Sequence, residues 1–171
     1  LIPLISAVLL TSCATVNYSY DGNAFKKSMH TITQEDLKKN LYVIASDEME
    51  GRNTGSAGQK KAGEYIIKQY KDMGVPHPTP MSSYYQKVSA NFLNAKRAKG
   101  LPDSENILAF IKGSEKPDEI IVISAHYDHV GTQKGVVYNG ADDDGSGTVA
   151  LIEIAEAFQH ATKAGHGPKR S

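Results

Sequence analysis

The stretch from Glu119 to Phe158 limits the possible folds more than any other. It reads EIIVISAHYDHVG and then, after a short loop, YNGADDDGSGTVALIEIAEAF. The run Ile120-Ile121-Val122-Ile123 does not alternate with polar residues, which marks a strand buried on both faces rather than one. It ends in His126, Asp128 and His129. A glycine-rich acidic turn follows, Asn139 to Gly147, and then a helical pattern starting near Gly147 that would bury Ala150, Leu151, Ile154, Ala155 and Phe158. Imidazole and carboxylate at a strand end, with more carboxylates at the entry to a helix, point to a divalent cation held at the edge of a sheet.

His126 and Asp128 are two apart, so on an extended segment their side chains share a face, whereas His129 would point the other way. A neutral imidazole is a good Zn²⁺ ligand, and a carboxylate usually fixes its tautomer through the other ring nitrogen. Asp128 is therefore either that supporting partner or a ligand itself. Asp142, Asp143 and Asp144 repel one another unless a cation relieves them, and the glycines around them permit close backbone approach. Two other readings compete. Acidic residues at a helix start are favoured by the helix dipole without any metal. Asp142, Asp144, Ser146, Gly147 and Glu153 also match much of a calcium loop, but Gly131 to Asn139 is not the helix that such a loop needs before it.

The rest of the chain supplies the frame. Its 171 residues suffice for one domain with a core, and 40% apolar with 22% charged residues is ordinary globular usage. Lys+Arg and Asp+Glu are 19 each, so no overall charge argues for nucleic acid, and none is expected as a partner. Thr33 and Ser56 open capping boxes that predict helices over about 34–45 and from 57 to the stop at Gly74 and Pro76. The polar segment Ser46 to Ser56 between them reads as a solvated loop. Tyr84 to Phe92 has strand character, and Ile107 to Ile111 reads as a buried strand paired antiparallel with Glu119 to Ala125 across a short turn. His77, His160 and His166 read as surface residues.

Leu1 to Leu10 is short and apolar, and Leu10-Thr11-Ser12-Cys13 has the form of a bacterial lipoprotein signal, with the single cysteine where lipid would be attached. The expected layout is a partial signal peptide over 1–12, a tether over 13–30 and the domain over 31–171. Ala14 after the cysteine places the anchored protein at the outer membrane, facing the periplasm or the exterior.

Ser124-Ala125-His126-Tyr127-Asp128-His129-Val130-Gly131, followed by Gly140-Ala141-Asp142-Asp143-Asp144-Gly145-Ser146-Gly147, resembles the co-catalytic zinc aminopeptidases of the bacterial leucyl and yeast aminopeptidase Y type. Ala45 to Gly55, ASDEMEGRNTG, is similar to that family's amino-terminal signature. The resemblance implies a three-layer α/β/α sandwich with a mixed sheet, peptide substrates and two zinc ions per complete site. It implies that His126 binds one zinc, that Asp143 bridges both, that Asp128 orients His126, and that the Asp143–Asp144 peptide is cis. It also implies two adjacent glutamates after a further strand, one of them the general base, and then a later Asp and His. The sequence reaches Ser171 where that strand should begin, so the expectation is an amino-terminal part of an exopeptidase, inactive by itself. A non-catalytic surface lipoprotein using the fold as a binding module, or a single-zinc enzyme like the glutaminyl cyclases, are the alternatives.

Overall fold

The computed structural model describes residues 22–96 and 100–171. Three helices and a turn carry most of its packing: α2 (Gln34–Ile44), a 3₁₀ turn (Asp47–Arg52), α3 (Ala57–Met73) and α5 (Ser146–Lys163). Both N-caps form, without the reciprocal bond of a full capping box: Asp36 accepts from the Thr33 hydroxyl, and Gln59 from the Gly55 amide. Thr33 Oγ1 accepts from the Asp36 amide at 3.0 Å, and Ser56 Oγ accepts from the Gln59 amide at 3.3 Å. Gly74 ends α3 in the left-handed region at φ 76°. The apolar faces of these helices meet in one core containing Ile44, Ala62, Ile66, Tyr70, Val149 and Ile152.

An additional helix, α1 (Gly22–Met29), lies where the sequence reads as a tether. It is docked on α5: Ser28 is buried and its hydroxyl lies 3.1 Å from His160 Nδ1. Residues 22–29 are thus helical and packed on α5, and His160 is engaged in that packing rather than free on the surface. The signal segment 1–12 and Cys13 lie outside the described residues.

The strands are fewer and shorter than expected. β1 (Tyr85–Val88) pairs antiparallel with β2 (Ser104–Ile107), in the register Tyr85 with Ile107 and Val88 with Ser104. The end of the expected Tyr84–Phe92 strand is instead helical, in α4 (Ala90–Lys96). A small hairpin, β3 (Thr132–Gln133) with β4 (Val136–Val137), precedes the acidic turn. Among the described residues these two pairs are the only sheets, and the molecule is a mixed α/β structure with small sheets.

Glu119 to Ala125 is not paired with the segment 107–111. It forms no strand, and Ile120, Ile121, Val122 and Ile123 are all exposed. Its backbone bonds lead to the carboxy-terminal residues: the Ile121 amide donates to Ser171 O at 2.8 Å, and the Ser171 amide donates to Glu119 O at 3.0 Å. Donation from and acceptance by residues two apart is the parallel pattern. The preference for β1 as neighbour of β2 follows from the α4 connection, which returns the chain antiparallel beside it.

Helix α5 also differs from expectation. Its most buried residues are Thr148, Val149, Ile152 and Glu153, not the stripe through Ala150, Leu151, Ile154, Ala155 and Phe158. Glu153 is 1% exposed. Its Oε1 accepts from Asn40 Nδ2 at 2.8 Å, Tyr65 donates to Asn40 Oδ1 at 2.6 Å, and Oε2 is buried without a partner among the described residues. Burial pushes the Glu153 carboxyl above its ordinary range, and the Asn40 bond only partly opposes this. A carboxyl raised in the folded state favours folding in its protonated form. Stability is therefore lost as pH rises from the unfolded value through the folded one. Glu153→Gln is expected to stabilise by on the order of 1 kcal/mol at pH 8, with little gain at pH 4, as read by urea denaturation at both values.

Candidate metal centre

Tyr127 anchors the segment that carries His126 and Asp128. Its ring is buried and its hydroxyl donates to Glu105 O at 2.9 Å, which fixes the facing of its neighbours. Burial, together with the nearby Glu105 carboxylate, pushes the phenol well above its ordinary range. The His126 backbone is tied directly to the start of α5. Its amide donates to Asp144 Oδ2 at 3.3 Å, and its carbonyl accepts from Thr148 Oγ1 at 3.0 Å. Asp144 Oδ1 also accepts from the Gly147 amide at 3.1 Å and so caps that helix. The Asp143–Asp144 peptide is cis, as the resemblance implies.

The ring of His126 carries the clearest chemical signal. Its Nδ1 lies 3.0 Å from the carbonyl oxygen of Asp128, and a carbonyl only accepts, so Nδ1 holds the hydrogen. In the neutral ring, Nε2 then bears a lone pair. Nε2 lies 3.0 Å from Asp143 Oδ1, a carboxylate oxygen that also only accepts. Two acceptors face each other, and only a proton or a metal cation between them makes the arrangement favourable. Desolvation pulls the imidazole down, but the bond to Asp128 and the carboxylates of Asp128, Asp143 and Asp144 outweigh it, and the net shift is upward.

Asp128 approaches His126 Nδ1 through its carboxylate as well, at 3.5 Å, and its other oxygen accepts from the Thr54 hydroxyl. His129 departs from the strand rule. Its Nδ1 lies 3.6 Å from Asp143 Oδ2, so both histidines converge on the same carboxylate. This is possible because its ring packs on Gly140, where a Cβ would sit 2.5 Å from the ring. Glu153, the last residue of the calcium-loop match, lies on α5 and is buried against α2, and a hairpin rather than a helix precedes the turn. The calcium-loop arrangement does not form.

The donor set of imidazole nitrogen and carboxylate oxygen suits zinc. Among the described residues, no group of three or more His, Cys, Asp or Glu is arranged to hold a metal ion. A groove of about 600 Å³ between α2 and the start of α5 is lined by Leu37, Leu41, Ala45, Ala141 and Val149 among others. It includes neither His126 nor Asp143 and is chemically separate from the centre.

The segment 46–56, read from sequence as a solvated loop, is bound into the centre instead. Glu50, Gly51 and Arg52 are all left-handed, at φ 54°, 68° and 50°. For the two non-glycine residues this costs about 1–2 kcal/mol each. The turn aims Arg52 inward, where it is 0% exposed. Burial pulls its guanidinium below the ordinary range, while Asp128 opposes the shift. The Gly131 amide donates to Gly51 O at 2.9 Å and the His129 amide to Arg52 O at 3.0 Å. Asn139 Nδ2 donates to Ala45 O at 2.8 Å and to Asp47 Oδ1 at 2.7 Å. The sequence cue for this role was Gly51 between two polar residues, which by itself reads as any turn.

Comparison with known proteins agrees with this chemistry. Residues 106–171 match the family model described as Peptidase family M28, and so carry that family's sequence pattern. A Vacuolar membrane protease of Candida dubliniensis is 26% identical over 156 residues, 88% of this chain and 16% of that protein. A Vacuolar membrane protease of Tuber melanosporum is 35% identical over 71 residues, 40% of this chain and 7% of that protein. A Glutamate carboxypeptidase 2 homolog of Caenorhabditis elegans is 36% identical over 73 residues, 43% of this chain and 8% of that protein. The chain spans less than a fifth of the length of these relatives.

Proposed function

We propose that this chain is part of a zinc-dependent peptidase of Peptidase family M28, an exopeptidase of the aminopeptidase-like kind acting on peptides. The observation that carries the reading is the pair of facing acceptors, His126 Nε2 and Asp143 Oδ1, with Nδ1 of the same ring held by Asp128. His126 and Asp143 would hold the metal, with two zinc ions in the complete site, and Asp128 would keep the His126 ring turned toward them. Zinc, when bound, lowers the pKa of a coordinated water to about 7 and polarises the scissile carbonyl. The general base belongs to a glutamate outside this sequence. In the same reading the complete domain is the three-layer α/β/α sandwich, and residues 31–171 are its amino-terminal part.

The test uses the complete natural protein. Aminoacyl nitroanilides should be hydrolysed, chelation should abolish the activity, and zinc should restore it. No chelator-sensitive hydrolysis of any peptide, with free or blocked ends, would overturn the proposal. The relatives named as carboxypeptidases favour a second reading, cleavage from the carboxy end. Activity that requires a free carboxylate and tolerates a blocked amine would select it.

The amino end supports a further part of the proposal. Leu10 to Cys13 has the form of a lipidation signal, so the protein would be anchored through Cys13 in the cell envelope, at the outer membrane. Cys13→Ser is expected to release the protein from the membrane fraction and to abolish incorporation of a labelled fatty acid. Retention of both would refute the anchor.

A further inference from the structure

Arg52 bonds to both halves of the centre at once. Its Nε donates to Tyr127 O at 2.7 Å, on the segment between His126 and Asp128. Nη1 donates to Asn139 O at 2.6 Å, and Nη2 to Gly140 O at 2.9 Å, at the entry to the acidic turn that carries Asp143. Nη1 also donates to Ile44 O at 2.5 Å, at the end of α2. One buried planar group thus fixes three backbone segments relative to one another. We propose that Arg52 is a positioning residue for the metal centre, setting the separation of His126 and Asp143 from behind. This rests on the zinc-peptidase reading above.

The choice of arginine follows from geometry. Four acceptors lie around one plane in different directions, and a guanidinium presents five N–H groups in such a fork. A lysine offers three hydrogens on a single atom and cannot span segments that meet from three sides. The acceptors are main-chain carbonyls, so what is recognised is the path of the backbone. Thr54 reinforces the same side through its bond to the Asp128 carboxylate, and Asn139 ties the acidic turn back to Ala45 and Asp47. The two segments also meet directly, through Asp144 and Thr148 at His126. Arg52 supplies the support on the opposite side. Three consecutive left-handed residues are retained to deliver it, and strain held in this way accompanies functional geometry.

The experiment measures zinc affinity by competition with a chromophoric chelator, and the visible spectrum of the Co²⁺-loaded form, in the complete natural protein. Arg52→Lys is expected to weaken zinc by about 10–100-fold, the usual effect of losing a supporting partner, and to alter the Co²⁺ bands. Ile66→Ala, a core change of equal or larger stability loss, is expected to leave affinity and spectrum unchanged. Folded Arg52→Lys with wild-type affinity and spectrum would overturn the proposal, as would Ile66→Ala weakening zinc to the same degree. If Arg52→Lys does not fold, the wild type decides: its Arg52 Nε–H resonance must shift, and its exchange must slow, when zinc is added. An unchanged resonance counts against the role. If the wild type takes up no zinc, the functional reading fails and this inference falls with it. If the wild type binds zinc and Arg52→Lys binds it equally well, only the role of Arg52 fails.

Discussion

His126→Ala, or Asp143→Asn, is expected to reduce chelator-sensitive peptidase activity of the complete natural protein by more than about a hundred-fold. Removal of a partner that only supports a ligand commonly costs about 10–100-fold, and a ligand contributes more than its support does. The two positions fail for different reasons. Alanine at 126 removes the nitrogen that faces Asp143 at 3.0 Å. Asparagine at 143 keeps the shape but replaces a charged oxygen, and its amide can donate to His126 Nε2, so the facing acceptors become a satisfied pair. Asp142→Asn is the control: the residue is exposed, so activity should stay near wild type. Metal content by mass spectrometry separates loss of zinc from loss of turnover. Wild-type activity in either ligand variant would remove His126 and Asp143 from the centre.

Ile44→Ala is expected to cost about 2–5 kcal/mol, a large share of the roughly 5–15 kcal/mol that holds a domain folded. Ile44 is 0% exposed and closes α2 against the core formed by α3 and α5. The cavity would open beside the carbonyl that accepts from Arg52. Urea denaturation should show a lower midpoint with an unchanged slope. Tyr42→Ala, two residues earlier and 70% exposed, should change stability by no more than about 0.5 kcal/mol. A small effect at Ile44 would show that α2 is not integral to the core.

Local chemistry was legible in the sequence. Thr33, Ser56 and Gly74 satisfy helix ends within their own turns, so their meaning needs no distant partner, and all three act as read. Local pattern pointed to His126 with Asp128 and to the acidic turn Asp142 to Asp144, and only the resemblance singled out Asp143 among the three. Two differences between expectation and structure have separate physical causes. The buried side of α5 was misassigned because apolar residues occur around much of that helix, and packing against α2 and α3 chose among them. His129 was read as facing away because the strand rule assumes straight chain, whereas the backbone bends into Gly131, at φ 77°. The segment Ser46 to Ser56 was the least legible. Its polar residues bond to backbone 75 to 88 positions further on, and nothing local distinguishes such donors from solvated ones.

That separation has a consequence in time. Arg52 precedes Gly140 by 88 residues, so on a ribosome working at about 5–20 residues per second its last acceptor is made about 4–18 s after it. Through that interval the guanidinium has only the Ile44 carbonyl among its four acceptors, and the left-handed turn is held by near-sequence contacts such as Lys61 with Glu48 and Glu50. Helices α2 and α3 can form meanwhile from short-range contacts. The remaining Arg52 bonds form only when the carbonyls of Tyr127, Asn139 and Gly140 arrive, so joining the two halves of the centre is a late, non-local event whose closure entropy falls on the final stage of folding.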